Sequence, residues 1–319
     1  MTKQVLLNGL SFRADEFRLV KDILKCQQSK LKSNQLLWHY TTLDAFRAIC
    51  EHNEFRASHI SFMNDTLEGE HFRRQMASRI KRFVRGKCTN AFRRDVVKEY
   101  MDWILERGIY ARNEEEFVIS MTEEDDSLPL WREYVPRGED GVSIGLLPHS
   151  DDSFWRKGFK KCYYYDDRNR IFDECALWIL RFADYLEELV IRNEEGHYGA
   201  IIDRIISYIP FIKSGKFKYE NEWRYVIRGV MDGDRHSGGE SKCEKKSSVG
   251  FDGRKPYFPQ VLCGDEGIFR RIACVRISPF GDVGRNYKYC QMMKRAHILK
   301  PDVSILKSNI PYCEPRKKI

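Results

Sequence analysis

Residues 216–227 read K-F-K-Y-E-N-E-W-R-Y-V-I. As a single strand, this stretch alternates its side chains between two faces. Phe217, Tyr219, Asn221, Trp223, Tyr225 and Ile227 then share one face, and Lys218, Glu220, Glu222, Arg224 and Val226 the other. A face that rich in aromatics predicts a strand packed on a core rather than a peripheral one. On the second face Glu220 and Glu222 point the same way, roughly 6.5–7 Å apart at Cα, with Arg224 one step further on. Two like charges in a partly dry setting raise at least one pKa unless a cation compensates, and Arg224 is placed to compensate. The stretch reads either as an ion-pair network or as a carboxylate that Arg224 orients toward a ligand.

Outward from that stretch, helices and strands are intermixed early and strands dominate late. A helix is expected over 12–30. A buried strand follows in L-L-W-H-Y (36–40), then a helix whose Thr41-x-x-Asp44 start supplies a capping side chain. Residues 54–62 alternate as a second strand. M-N-D-T-L-E-G-E turns into a helix running toward Val84, and another helix spans 92–105. E-F-V-I-S-M-T (116–122) is strand-like, and S-L-P-L-W-R-E-Y opens a helix with Pro129 in its first turn. G-V-S-I-G-L-L and F-K-K-C-Y-Y-Y read as strands, and 171–212 as mostly helical. Residues 229–255, rich in glycine, serine and charge, read as an exposed flexible loop. Late strands are expected at 257–263, 272–278 and 303–306. The expected class is α+β: a mixed or antiparallel sheet with helices around it, in one elaborated domain over 1–319 with an N-terminal helical extension over 1–35.

With 319 residues, 42% hydrophobic and 13% aromatic, the chain has the composition of a folded globular protein. The net charge of +8 leans weakly toward phosphate-bearing or polyanionic partners. The ten cysteines fall singly with no C-x-x-C, against a zinc ribbon or a thioredoxin-type motif. No apolar segment suits a signal peptide or a membrane span, so a cytoplasmic protein without membrane contact is expected. Neither G-x-G-x-x-G nor a P-loop motif is present.

Beyond Glu220 and Glu222, His39 ends an apolar strand ahead of Tyr40 and Thr41, where a neutral imidazole can hold a sugar hydroxyl. It reads equally as a locally satisfied core histidine. Asn64 and Asp65 form either a turn or the polar lip of a pocket. Ser120 and Thr122 face one side of their strand. Trp131 and Tyr134, at helical spacing, fill the core or stack on a flat ring.

W-H-Y-T-T (38–42), F-M-N-D-T-L-E (62–68), V-I-S-M-T (118–122), W-R-E-Y (131–134), G-V-S-I-G-L (141–146), Y-E-N-E-W-R (219–224) and S-N-I-P-Y (308–312) come in that order. Together they resemble a family of bacterial proteins of the domain-of-unknown-function kind, over nearly the whole chain from Leu36 to Tyr312. That family is similar in turn to the ADP-ribosyltransferase superfamily. The resemblance implies a split, twisted sheet that clamps NAD in a central cleft. His39 would hold the adenosine-side ribose, with Tyr40 and Thr41 beside it, and Asn64 and Ser120 would add polar contacts. Glu222 would stabilise the oxocarbenium-like transition state as nicotinamide leaves, and Arg224 would keep it charged. Glu220 would orient the acceptor, as the first acid of the Glu-x-Glu pair does in arginine-modifying members; those members carry an arginine where this chain has His39. Histidine-type members stack nicotinamide on a middle-strand tyrosine, for which Tyr134 is the candidate and Trp131 the second.

The implied protein is an NAD-consuming transferase or glycohydrolase, of the kind found among toxins and phage-defence effectors, passing ADP-ribose to a nucleic acid, a protein or water. Two alternatives stand beside it. One is a binding module that keeps the cleft without turnover. The other is a metal-dependent nuclease on Asp65, Glu68, Glu220 and Glu222.

Overall fold

The computed structural model of the chain describes residues 34–63, 115–136, 138–147, 159–165, 209–229, 250–252, 255–260 and 272–311, together with 4–7, 10–13 and scattered positions within 25–32 and 74–98. Two short strands come first, β1 (Gln4–Leu7) and β2 (Leu10–Arg13), paired antiparallel. Then follow β3 (Leu37–Thr42), helix α1 (Leu43–His52), β4 (Phe55–His59) and β5 (Glu115–Thr122). Helix α2 (Leu128–Tyr134), β6 (Gly141–Leu146), β7 (Phe159–Lys161), β8 (Tyr163–Tyr165) and β9 (Ile212–Ser214) come next. The last elements are β10 (Glu222–Gly229), β11 (Gly250–Asp252), β12 (Lys255–Gln260), β13 (Ile272–Ile277), helix α3 (Val283–Arg295) and β14 (Ser304–Lys307).

Among the described residues ten of these strands build one open mixed sheet in the order β11-β12-β4-β5-β3-β6-β13-β14, with β10 and β7 attached through β5, while β1-β2 and β8-β9 form two separate two-stranded sheets. Its neighbours are antiparallel except β13 and β14, which run parallel with α3 as the crossover that a parallel pair requires. The arrangement is consistent with the expected α+β class, with few helices among the described residues.

The sheet forks at β5. Along one edge β5 pairs with β10 over its whole length, Glu115↔Gly229 through Thr122↔Glu222. Its other edge is shared by two strands. β4 takes the first half through Ser58↔Val118 and His59↔Phe117, and β3 takes the end through Trp38↔Thr122. β3 then runs on with β6 instead, in six consecutive pairs. Trp38 lies over Gly145 of β6, where an added Cβ would sit 2.9 Å from the indole ring. That close approach accounts for the glycine inside this strand.

Alternation along β3 feeds two cores. Leu37 packs with Phe46, Phe55, Phe117, Ile144 and Trp223, whereas Trp38 and Tyr40 pack with Leu130, Trp131, Val135 and Phe280. Burying each large apolar side chain contributes about 1.5–3 kcal/mol. β6 is buried at all six positions, as its near-continuous apolar sequence suits.

Several expectations are corrected. Residues 216–227 are not one strand: Gly215–Glu220 is a 3-10 helix ending at Asn221 in left-handed geometry (φ 43°, ψ 49°), and the strand begins at Glu222. The α1 cap is Thr42, whose Oγ1 accepts from Ala45 N at 3.2 Å, not Thr41. Residues 12–13 belong to β2, so the N-terminal extension is not purely helical. β4 stops at His59 and gives way to a 3-10 turn over Ile60–Phe62. F-K-K-C-Y-Y-Y breaks at Cys162 into β7 and β8, which belong to different sheets. Residues 209–212 form a 3-10 turn and the start of β9, and the loop expected over 229–255 contains strand residues at both of its ends. Asn64, Asp65, Glu68, most of the helices expected within 66–105, and residues 166–208 and 230–249 lie outside the described residues.

Candidate functional site

A cavity of about 50 Å³ opens beside the fork, lined by Trp38, His39, Tyr40, Ser120, Met121, Thr122, Leu130, Tyr134, Glu220 and Glu222. Its walls come from the end of β5, the adjoining part of β3, helix α2 and the junction between the 3-10 turn and β10. Mostly apolar walls with a few convergent polar groups are the usual make-up of a ligand pocket.

His39 sits where β3 leaves β5. Its Nδ1 lies 3.0 Å from the Ser120 carbonyl, and Phe55 of β4 meets its ring edge-on at 5.1 Å. A carbonyl accepts, so Nδ1 carries the proton and Nε2 is left as an acceptor. Burial pushes the imidazole pKa below its ordinary 6.5, the Ser120 carbonyl pulling the other way, and the neutral ring is the resting form. Tyr40 is anchored on the next turn of chain. Its hydroxyl donates to Glu124 O at 3.0 Å and accepts from Ser127 N at 2.9 Å.

The acids converge by a route the sequence does not display. The left-handed Asn221 turns the chain between Glu220 and Glu222, and the Thr122 hydroxyl donates to the Glu220 carbonyl at 2.5 Å. Both carboxylates are then gripped by Lys213 of β9. Its Nζ donates to Glu222 Oε2 at 2.8 Å and also to Glu220 Oε2, while sitting 5.1 Å from the centre of the Phe217 ring. Arg224 donates from Nε to Glu222 Oε1 at 2.8 Å, from Nη2 to Glu222 Oε2 at 3.1 Å, and from Nη1 to Pro210 O at 2.6 Å. The four side chains are only 1–4% exposed. Charges so buried persist because each has a partner.

The two acids differ sharply. Burial works against ionisation of Glu222, but Arg224 and Lys213 outweigh it and hold the carboxyl down at about 2. Burial raises Glu220 to about 7, with Lys213 opposing and Glu222 reinforcing the rise. Glu220 Oε1 is buried and has no hydrogen-bond partner among the described residues, and the same holds for Ser120 Oγ. Tyr134 hangs over the pair, its phenol pushed well up by burial and by Glu222 and Glu220. Glu222 is further fixed by its backbone: its N–H donates to Tyr164 Oη at 2.7 Å and its carbonyl accepts from Cys162 N at 2.9 Å.

Of the residues singled out in the sequence, His39, Tyr40, Ser120, Tyr134, Glu220 and Glu222 share this cavity, and Arg224 stands behind it on Glu222. Thr41 is not among the lining residues. Trp131 is a core residue: it is fully buried, stacks edge-on with Tyr40 at 4.6 Å and donates Nε1 to Asp126 at 2.8 Å. Lys213 was missed, since I-K-S (212–214) carries no sign of a buried ammonium. Among the described residues no group of three or more His, Cys, Asp and Glu is set to hold a metal. Nor is any described helix long and apolar enough to cross a membrane. No known protein family, curated protein or solved structure matches this chain.

Proposed function

We propose that the protein is an NAD-consuming ADP-ribosyltransferase or NAD glycohydrolase on an ADP-ribosyltransferase-like split sheet. The observation that carries this reading is that His39, Glu220 and Glu222 line one cavity, with one acid held ionised and the other near neutrality. Environments that drive two acids apart are how one site obtains separate roles from identical groups.

The bond to be broken joins the ribose C1 to the pyridinium nitrogen. Nicotinamide leaves with the bonding electron pair and becomes neutral, while positive charge develops on C1 and the ring oxygen. Glu222 meets that charge. Glu222 is among the residues that line the cavity while Lys213 and Arg224 are not, so in this reading the two cations stand on its far side from the substrate. A preorganised anion of this kind acts on the transition state without reorganising. His39 Nε2 accepts from a ribose hydroxyl. The nucleophile, water or an acceptor's hydroxyl or amine, then bonds to C1 and gives its proton to Glu220, whose pKa suits a base at neutral pH.

A water-sized site takes about 10–15 Å³, so a cavity of about 50 Å³ admits one end of a ligand rather than a whole dinucleotide. In this reading only an edge of the nicotinamide–ribose end enters, and the rest of the dinucleotide lies outside. Removal of NAD from the cell that makes it suits a toxin or defence effector, and the net charge of +8 suits an anionic acceptor such as nucleic acid.

The test is release of free nicotinamide from NAD by the purified protein. Glu222→Gln is expected to cut the rate by about 10²–10³, as loss of one preorganised charge-stabilising group does, and His39→Ala to raise KM. Absence of release, or release undiminished in both Glu222→Gln and Glu220→Gln, refutes the proposal. Calorimetric binding of NAD without turnover identifies a binding module instead.

A further inference from the structure

We infer that Lys213 is the positioning residue of this site, a single ammonium that takes one oxygen from each carboxylate and thereby divides their roles. Its Nζ reaches Glu220 Oε2 and Glu222 Oε2 at once. Glu222 thus has both oxygens occupied, by Lys213 and by two donors of Arg224. Among the described residues Glu220 has only Oε2 occupied, and its buried Oε1 is left without a partner. Rotating Glu220 to satisfy Oε1 elsewhere would break its contact with Lys213, so the ammonium fixes which oxygen is presented. Glu222 is the fixed anion and Glu220 the group that exchanges protons and hydrogen bonds with what enters.

The groups facing Glu220 come from several elements. They are Lys213 from β9, Glu222 from β10, Glu133 and Tyr134 from α2, and Tyr219 from the 3-10 turn itself, with His39 of β3 lining the same cavity. Of these, Lys213 is the cation bonded directly to Glu220. With it removed, Glu222 and Glu133 repel the ionised form of Glu220 with less opposition, and burial still disfavours it. Lys213 precedes the two acids by seven and nine residues, on a strand that pairs parallel with β8. The same β7–β8 segment supplies Tyr164 Oη and Cys162 N to the Glu222 backbone. One corner of the fold therefore holds both the charge and the backbone of the acidic pair.

The inference rests on the proposed reaction only for its kinetic arm. With 13C-labelled glutamate side chains, wild-type protein is expected to show one carboxyl titrating near neutrality, absent in Glu220→Gln. In Lys213→Met that midpoint is expected to move up by about one pH unit or more, whereas Lys213→Arg, which keeps a cation, holds it near the wild-type position. In the kinetic arm, the low-pH limb of nicotinamide release shifts by the same amount in Lys213→Met. A midpoint that ignores Lys213→Met, or that moves equally in Lys213→Arg, overturns the assignment.

Should methionine at 213 prevent folding, the wild-type protein carries the test. The 15N-labelled Lys213 ammonium is expected to exchange slowly and to show an inflection at the Glu220 midpoint. Exchange as fast as a surface lysine, or no inflection, overturns the assignment as well. A protein that releases no nicotinamide but passes the titration refutes the reaction and keeps Lys213 in its role. The converse result refutes Lys213 alone.

Discussion

Glu220→Gln is expected to stabilise the folded protein at neutral and alkaline pH. Glu220 titrates at about 7 in the folded chain against an ordinary 4.5. The folded state therefore binds more protons than the unfolded state between those values, and stability falls as pH rises through that window. The change corresponds to about 3 kcal/mol, present below pH 4.5 and lost by pH 8. Glutamine copies the neutral acid and removes the loss. His39, whose folded pKa is lowered, contributes in the opposite direction below 6.5, but equally in both proteins, so it cancels from the comparison. Glu222, held at about 2, has finished titrating by pH 5.

Urea unfolding of wild type and Glu220→Gln at pH 5 and pH 8 measures the effect. At about 3 kcal/mol per molar of urea, the variant gains about 1 M in midpoint over wild type at pH 8 and little at pH 5. A wild-type-to-variant difference that is the same at both pH values refutes the assigned protonation. A gain in stability accompanied by lost turnover is the signature of a group kept for function at the expense of the fold.

Arg224→Met leaves Glu222 buried with one cationic partner and should cost about 3–5 kcal/mol, read as a fall in urea midpoint. Ser120→Ala removes a hydroxyl that has no partner among the described residues, so stability should stay within about 0.5 kcal/mol, while KM for NAD rises in the nicotinamide assay. Gly145→Ala drives a methyl into the Trp38 ring and should cost about 1–3 kcal/mol by overpacking, detected as a lower melting temperature.

The parts of the fold legible in the sequence are those set by local pattern. L-L-W-H-Y and G-V-S-I-G-L announce β3 and β6 because buried strands are apolar runs, and Pro129 marks the start of α2. The 216–220 stretch misleads because its aromatic alternation imitates a strand. Asn221 is the available signal, since asparagine tolerates left-handed geometry where other side chains do not. The approach of Glu220 to Glu222 was foreseen with the wrong cause, a shared strand face instead of a turn closed by Lys213. No local pattern distinguishes Lys213 from a surface lysine, because it meets Glu220 and Glu222, seven and nine residues on, only through the 3-10 turn and the left-handed Asn221 that fold them back onto it.

The fork at β5 has a mechanical consequence. A crevice between two strands that share one neighbour is held open by backbone ladders on both sides, so its width is an elastic property of the whole sheet rather than of a loop. Wedging β4 away from β3, or drawing them together, would shift Phe55 against the His39 ring, and through it one wall of the cavity, without breaking a strand. A ligand pressing on the His39 wall would therefore be felt as strain in β6, which pairs with β3, and through Phe55 in β4.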